Sequence, residues 1–309
     1  MERRFLLKLF VLAIVVGVVA PWTIQNHLWF VREGKALAFP GRETYAALRN
    51  SRRRVEARTI VLGDSVAHQL YDEGAVGGIY SLACNQGVSM VGHYVLLRTL
   101  ADANDLTGRK VFLVIHPGYL GNELDQPFTF HYFLKPFYEA KAQEHFSDVV
   151  RGRIADVPYA WAALLPVVRI STWSPTAAPK WLREGIGPVS LEYLTRMRAL
   201  ARERGFEFEV VSPWISESRS HLDLAEMRSR IHARGLDDVF ETYDPLARVL
   251  PDAAFIDGVH YVRSVRWDPD PLALGAPEKE TGPAASAGPA GLLRTPATSS
   301  PSARSSPAR

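Results

Sequence analysis

Thr59-Ile60-Val61-Leu62-Gly63-Asp64-Ser65-Val66-Ala67-His68-Gln69-Leu70 is a short β-branched and aliphatic run that stops at a glycine and passes into residues able to begin a helix. A strand that hands a serine to a ligand site at the carboxyl edge of a parallel sheet has this form. Asp64 and Ser65 are also good helix N-caps, so the motif alone is equally compatible with a plain capped helix. The other end of the chain adds weight. Ala253 to Ile256 reads as another short apolar strand and runs into Asp257-Gly258-Val259-His260. A carboxylate and an imidazole three residues apart can pair through one ring nitrogen and leave the other free to take a proton from a serine. Ser65, Asp257 and His260 are therefore the candidate catalytic residues. His68, one turn beyond Ser65, is expected to point away from the serine hydroxyl.

Between these ends, apolar runs alternate with helical periodicity. Strands are expected at 59–62, 77–83, 110–115, 206–211 and 253–256, and helices at about 88–100, 189–203 and 222–233. Strands separated by helices at this spacing predict an α/β fold with a parallel sheet. A long insertion at about 119–187 carries Phe128, Phe130, His131, Tyr132, Phe133, Phe137 and Tyr138, then Trp161, Trp173 and Trp181. It reads either as a lid or substrate platform beside the site, or as a cap with its own small core.

The chain has 309 residues, 47% hydrophobic and 22% charged, which is enough to bury a substantial core. A net charge of +3 without a basic face interleaved with aromatics gives no nucleic-acid footprint. The single cysteine, Cys84, excludes an intrachain disulfide and a cysteine metal cluster. The nine histidines form no His-x-x-x-His or histidine-carboxylate ligand set, so neither metal nor other cofactor is expected. At the amino terminus, Arg3 and Arg4 precede an apolar stretch from Phe5 to Trp22 broken only by Lys8. Its length and flanking charge predict an uncleaved transmembrane signal anchor over 1–23, with a cleaved signal peptide as the competing reading. A juxtamembrane connector over 24–57 and a domain over 58–267 follow. From 268 to 309 the composition turns to Pro, Ala, Gly, Ser, Thr and Arg, which predicts a disordered tail.

Gly63-Asp64-Ser65, Asn85-Gln86-Gly87 and Asp257-Gly258-Val259-His260, in that order, resemble the first, glycine and last blocks of the SGNH or GDSL-like hydrolase superfamily. The resemblance covers about 59–260. It implies a flavodoxin-like three-layer sandwich with a five-stranded parallel sheet. It also implies Ser65 as nucleophile, His260 as general base and acid, and Asp257 as the residue orienting His260. The oxyanion donors would be the backbone N–H groups of Ser65 and Gly87. The third block, Gly-x-Asn-Asp, is not present in that form; His116-Pro117-Gly118-Tyr119-Leu120-Gly121-Asn122 stands in its place. Asn122 is then a candidate third donor, with Asn85 and His116 as rivals for oxyanion or substrate contacts. An anchored domain with this variant block is similar to extracytoplasmic SGNH-like proteins that work with membrane acyltransferases on cell-envelope polysaccharides. That similarity implies a serine esterase or O-acyltransferase at the bacterial-type inner membrane, facing outward, acting on acylated glycans through an acyl-serine. The alternative is a catalytically silent, glycan-binding accessory of a membrane acyltransferase. Superfamily members usually close with a helix after the last block, and its absence here leads to the expectation that the natural carboxyl terminus has been lost or replaced.

Overall fold

The computed structural model describes residues 3–19, 41–71, 74–76, 78–126, 128–157, 160–164, 185–220, 224–262 and 270–274. Helix α1 (Arg3–Ile14) continues into a π-helical turn at Val15–Val19, and no residue of either is buried. Among the described residues no helix is long and apolar enough to cross a membrane. At 1.5 Å per residue, α1 spans about 18 Å against a hydrocarbon core of about 30 Å. The expected transmembrane helix is therefore not supported; the run from residue 20 onward lies outside the described residues. Of the connector, α2 (Arg42–Asn50) is described, and it buries Thr44, Ala46, Ala47, Leu48 and Asn50.

The domain is built on β1 (Thr59–Gly63), every residue of which is buried. A continuous apolar run is what a strand covered on both faces requires. It is followed by α3 (Ser65–Leu70), β2 (Gly74–Val76), β3 (Ile79–Ser81), α4 (Ser89–Ala103), β4 (Lys110–Val114), α5 (Lys135–Glu139), α6 (Asp148–Ala155), α7 (Pro188–Arg204), β5 (Glu207–Val211), β6 (Ile215–Ser216), α8 (Ala225–Ala233) and β7 (Val249–Leu250). The main sheet has the order β2-β3-β1-β4-β5. β3, β1, β4 and β5 are mutually parallel, and β2 is antiparallel to β3 at the edge.

The chain leaves β1 toward β3, crosses back over β1 to β4, and continues to β5. Right-handed crossovers in opposite directions put α3 on one face and α4 and α7 together on the other, and α4 and α7 do pack against each other. The reversal opens a crevice at the carboxyl ends of β1 and its neighbours, where ligands of open α/β sheets bind.

One strand expectation is overturned: the parallel sheet has four strands, not five. Asp252–Ala254 form a 3-10 turn after Pro251, and Phe255 makes only an isolated antiparallel bridge to Tyr261. The segment is too short to extend, because Gly258 (φ 78°) turns it back and Ile256 is 66% exposed. The mixed fifth strand is β2, from a stretch with no apolar run.

In the insertion, Phe130, Phe133, Phe137 and Phe146 are buried, with Phe133 5.3 Å from Phe137 and 5.2 Å from Phe146 between ring centroids. A Cβ on Gly92 of α4 would stand 2.9 Å from Phe137 Cζ, so this aromatic group packs directly on α4. These residues form core. Trp161 is exposed, and Trp173 and Trp181 lie outside the described residues. Of the carboxyl-terminal segment, residues 270–274 are described and docked: Tyr71 Oη donates to Asp270 Oδ1 at 3.0 Å, and Leu272 and Leu274 are buried.

Gly63, the last residue of β1, sits at φ 155°, and a Cβ there would collide with the Val114 carbonyl oxygen of β4. Gly63→Ala is expected to cost about 1–3 kcal/mol or more, as overpacking against rigid backbone does. Urea unfolding of the two proteins measures it.

Candidate active site

The turn that carries Ser65 is held by a carboxylate with no solvent exposure. Asp64 Oδ1 accepts from the backbone N–H groups of Val66 (2.9 Å) and Ala67 (3.2 Å), capping α3. Its Oδ2 accepts from the His116 backbone N–H at 2.7 Å, tying the end of β4 to the end of β1. Asp64 is thus a cap, as one reading of the sequence allowed, and also a clamp between two loops. Burial pushes its pKa up to about 6 even though these three donors and the His260 charge pull the other way.

Ser65 follows this clamp, partly exposed. Its Oγ lies 2.7 Å from His260 Nε2, across 195 residues of chain. His260 Nδ1 lies 2.8 Å from Asp257 Oδ2. Asp257 Oδ1 accepts from the backbone N–H groups of Val259 (3.0 Å) and His260 (2.7 Å). Burial raises the Asp257 carboxyl, but the hydrogen bonds from His260 and Val259 outweigh it and hold the group below the usual carboxylate range. The structure therefore brings all three residues into one chain of contacts. An ionised Asp257 fixes the proton of His260 on Nδ1, which leaves Nε2 as an acceptor for the serine proton.

The last loop is pinned from below. Tyr261 Oη donates to the Trp214 carbonyl at 3.0 Å, just past β5, and the Tyr261 N–H donates to Gln69 Oε1 of α3 at 3.0 Å. Ile256 N–H donates to the His260 carbonyl at 2.7 Å, closing the loop on itself. His260 and Asp257 remain 32% and 53% exposed in their side chains, so the three residues are open to solvent. A separate cleft lined by Leu106, Thr107, Arg204 and Gly205 lies at the amino-terminal ends of β4 and β5, away from this chemistry.

The donors named for the oxyanion site fare differently. No acceptor faces the Ser65 backbone N–H among the described residues. The Gly87 N–H donates to Asn85 Oδ1 at 2.9 Å, so Asn85 and Gly87 occupy one another in this conformation. Asn122 is buried; its Nδ2 donates to the Gln86 carbonyl at 3.0 Å and its Oδ1 accepts from Leu124 N–H at 2.9 Å. It joins the variant third block to the glycine block, with one amide hydrogen left over.

His116 is 2% exposed, and its Nδ1 accepts from Gly118 N–H at 3.1 Å. The neutral ring must then carry its proton on Nε2, and that buried nitrogen has no partner among the described residues. Burial, helped by the charges of Arg219 and His260 against that of Asp257, lowers its pKa to about 4. His116 is therefore a neutral donor at the site.

Tyr119 and Arg219 were not expected. The Tyr119 hydroxyl interacts with Ser65, and burial, with the charges of Asp64 and Asp257, raises it well above the usual tyrosine value. Its ring lies 5.4 Å from that of His116. A tyrosine two residues beyond His116-Pro117 carries no sequence signal of its own. Among the described residues no hydrogen bond joins His68 to Ser65; the imidazole at the serine hydroxyl is that of His260.

Ionisation of Asp64 is disfavoured by folding, so its contribution to stability falls as pH rises from the unfolded value near 3.8 to about 6. Relative to Asp64→Asn, wild type is expected to lose stability over this window in a series of denaturant titrations. A flat difference would show that the carboxyl titrates normally.

No family model matches the chain, and no curated protein matches it either. One solved structure, described provisionally as a platelet activating factor from Streptococcus pneumonia, is similar over 79% of this chain and 91% of its own, with 13% identity and a TM-score of 0.31. At that level the likeness carries no argument about activity, and the site stands on its own geometry.

Proposed function

We propose that the protein is a serine ester hydrolase or O-acyltransferase that works through an acyl-serine on Ser65. The observation that supports this is the contact chain from Ser65 Oγ through His260 to Asp257, assembled from the two ends of the domain. His260 Nε2 takes the hydroxyl proton as Oγ bonds to the ester carbonyl carbon. The tetrahedral intermediate then expels the alcohol, which leaves with that proton. Water or a sugar hydroxyl repeats the sequence in reverse and frees the serine. The Ser65 N–H and the His116 Nε2–H are the donors for the oxyanion, His116 taking the place of the asparagine of the usual third block. Each such donor is worth about 3–4 kcal/mol of barrier. Asn122 acts from behind, fixing the loops. Tyr119, kept protonated by burial, holds the Ser65 hydroxyl in place.

We place this activity at the cell envelope on acylated glycans, in partnership with a membrane acyltransferase. Support comes from the wholly exposed apolar face of α1, with Phe5, Leu6, Leu7, Leu9 and Phe10 each at least 50% exposed, and the two arginines before it. An apolar helix with nothing buried has a lipid surface as its natural solvent. The accessory reading draws on one observation, the commitment of the Gly87 N–H to Asn85.

In the detergent-solubilised full chain, hydrolysis of 4-nitrophenyl acetate is expected to fall by about 10³-fold or more in Ser65→Ala and in His260→Ala. Acyl-serine seen by mass spectrometry on Ser65 accompanies it. Folded protein with neither turnover nor adduct favours the accessory role. His116→Ala is expected to lower kcat by about 10²–10³-fold with little change in KM, the pattern of a donor that acts in the transition state. A loss confined to stability would place His116 in the scaffold alone.

A further inference from the structure

Resting on that reading, we propose that Arg219 selects an anionic substrate, one whose ester lies beside a carboxylate or phosphate group. Arg219 ends a 3-10 turn, Glu217–Arg219, that follows β6. The turn is built against the catalytic loop. Ser216 Oγ donates to the Gly258 carbonyl at 2.9 Å, between Asp257 and His260. Ser218 N–H donates to Asp252 Oδ1 at 3.0 Å. The guanidinium overlies the same glycine: a Cβ on Gly258 would stand 3.5 Å from Arg219 Nε. Its charge is also felt by His116 and Tyr119.

Arg219 is exposed and forms no ion pair or hydrogen bond among the described residues. Some arginines are matched, Arg98 with Asp102, Arg198 with Asp238, Arg204 with Asp102 and Arg230 with Glu226; what sets Arg219 apart from the remaining unpaired ones is its place over Gly258, between Asp257 and His260. Two acids of the adjoining loop are engaged otherwise: Asp257 binds His260 and Asp252 receives Ser218. Glu217, in the same turn, forms no ion pair with Arg219 among the described residues.

An unpaired cation here has a cost. When His260 takes the serine proton it becomes an imidazolium, and a second positive charge nearby opposes that step. A substrate anion seated on the guanidinium removes the opposition and aligns the ester over Ser65. Arginine suits this work because its planar fork binds carboxylate or phosphate through two parallel hydrogen bonds. An acidic glycan, uronate-bearing or phosphate-bearing, has the required chemistry.

The test compares three aryl esters on the detergent-solubilised full chain: phenyl acetate, 4-acetoxybenzoate and 4-acetoxyphenyl phosphate. Wild type is expected to prefer a charged ester over phenyl acetate in kcat/KM, with the preference weakening as salt is added. Arg219→Gln is expected to reduce that preference about tenfold, and Arg219→Lys to restore part of it. The better of the two charged esters identifies the anion as carboxylate or phosphate. Equal preference in wild type and Arg219→Gln overturns the inference. Should wild type turn over no ester at all, the serine-esterase reading fails, and Arg219 is judged by binding. Ser65→Ala is then expected to hold 4-acetamidobenzoate or 4-acetamidophenyl phosphate more tightly than acetanilide in calorimetry. Loss of that difference in Ser65→Ala/Arg219→Gln supports the inference, and its absence or persistence overturns it.

Discussion

The site depends on one fully buried carboxylate. Asp64 accepts two N–H groups from the start of α3 and one from the residue after β4. Hydrogen bonds to a charged acceptor are worth about 1.5–3 kcal/mol each, so the three together set the angle at which the chain leaves β1. Ser65 is the next residue and inherits that angle. His116 is placed by the same carboxylate, so the Ser65 turn and the loop after β4 share one anchor. Gly63 makes the arrangement possible by letting β1 approach the Val114 carbonyl more closely than any side chain permits.

Around this anchor, burial divides the site into two kinds of group. Asp64, His116 and Tyr119 are removed from water, and their pKa values move toward the neutral form in each case. Asp257 and His260 stay partly wet, and Asp257 stays ionised because it collects hydrogen bonds faster than it loses solvation. His116 and Tyr119 are thereby kept neutral beside the serine, while Asp64 serves as an acceptor beneath it. Separating roles by environment in this way is how similar side chains perform opposite tasks at one pH.

Much of this was legible in residue order. The apolar run from Thr59 to Leu62, the Gly-Asp-Ser turn and the Asp-x-x-His spacing each depend on local chemistry that short peptides already carry, and all three appear where expected. The strand expected at 253–256 failed because apolar content alone does not tell a strand from a turn held by a single bridge. Pro251 and Gly258 leave too few residues for a ladder. The insertion's aromatics showed the same ambiguity between platform and core, and burial decides it for core at Phe130, His131, Phe133 and Phe137.

The sequence by itself determined the α/β class, the turn after β1 that carries Ser65 and the pairing of Asp257 with His260, because each rests on periodicity or on neighbours within three residues. Only the tertiary structure decided that Ser65 meets His260 across 195 residues, since long-range pairing is set by the crossover of β1, β3 and β4. It also decided the occupancy of the donors: Gly87 tied to Asn85, Asn122 turned to Gln86, and His116 left with a proton and no acceptor among the described residues. Arg219 belongs to the same class. An arginine among thirty-six basic residues says nothing in sequence, and its meaning comes from lying over Gly258 with no ion pair among the described residues.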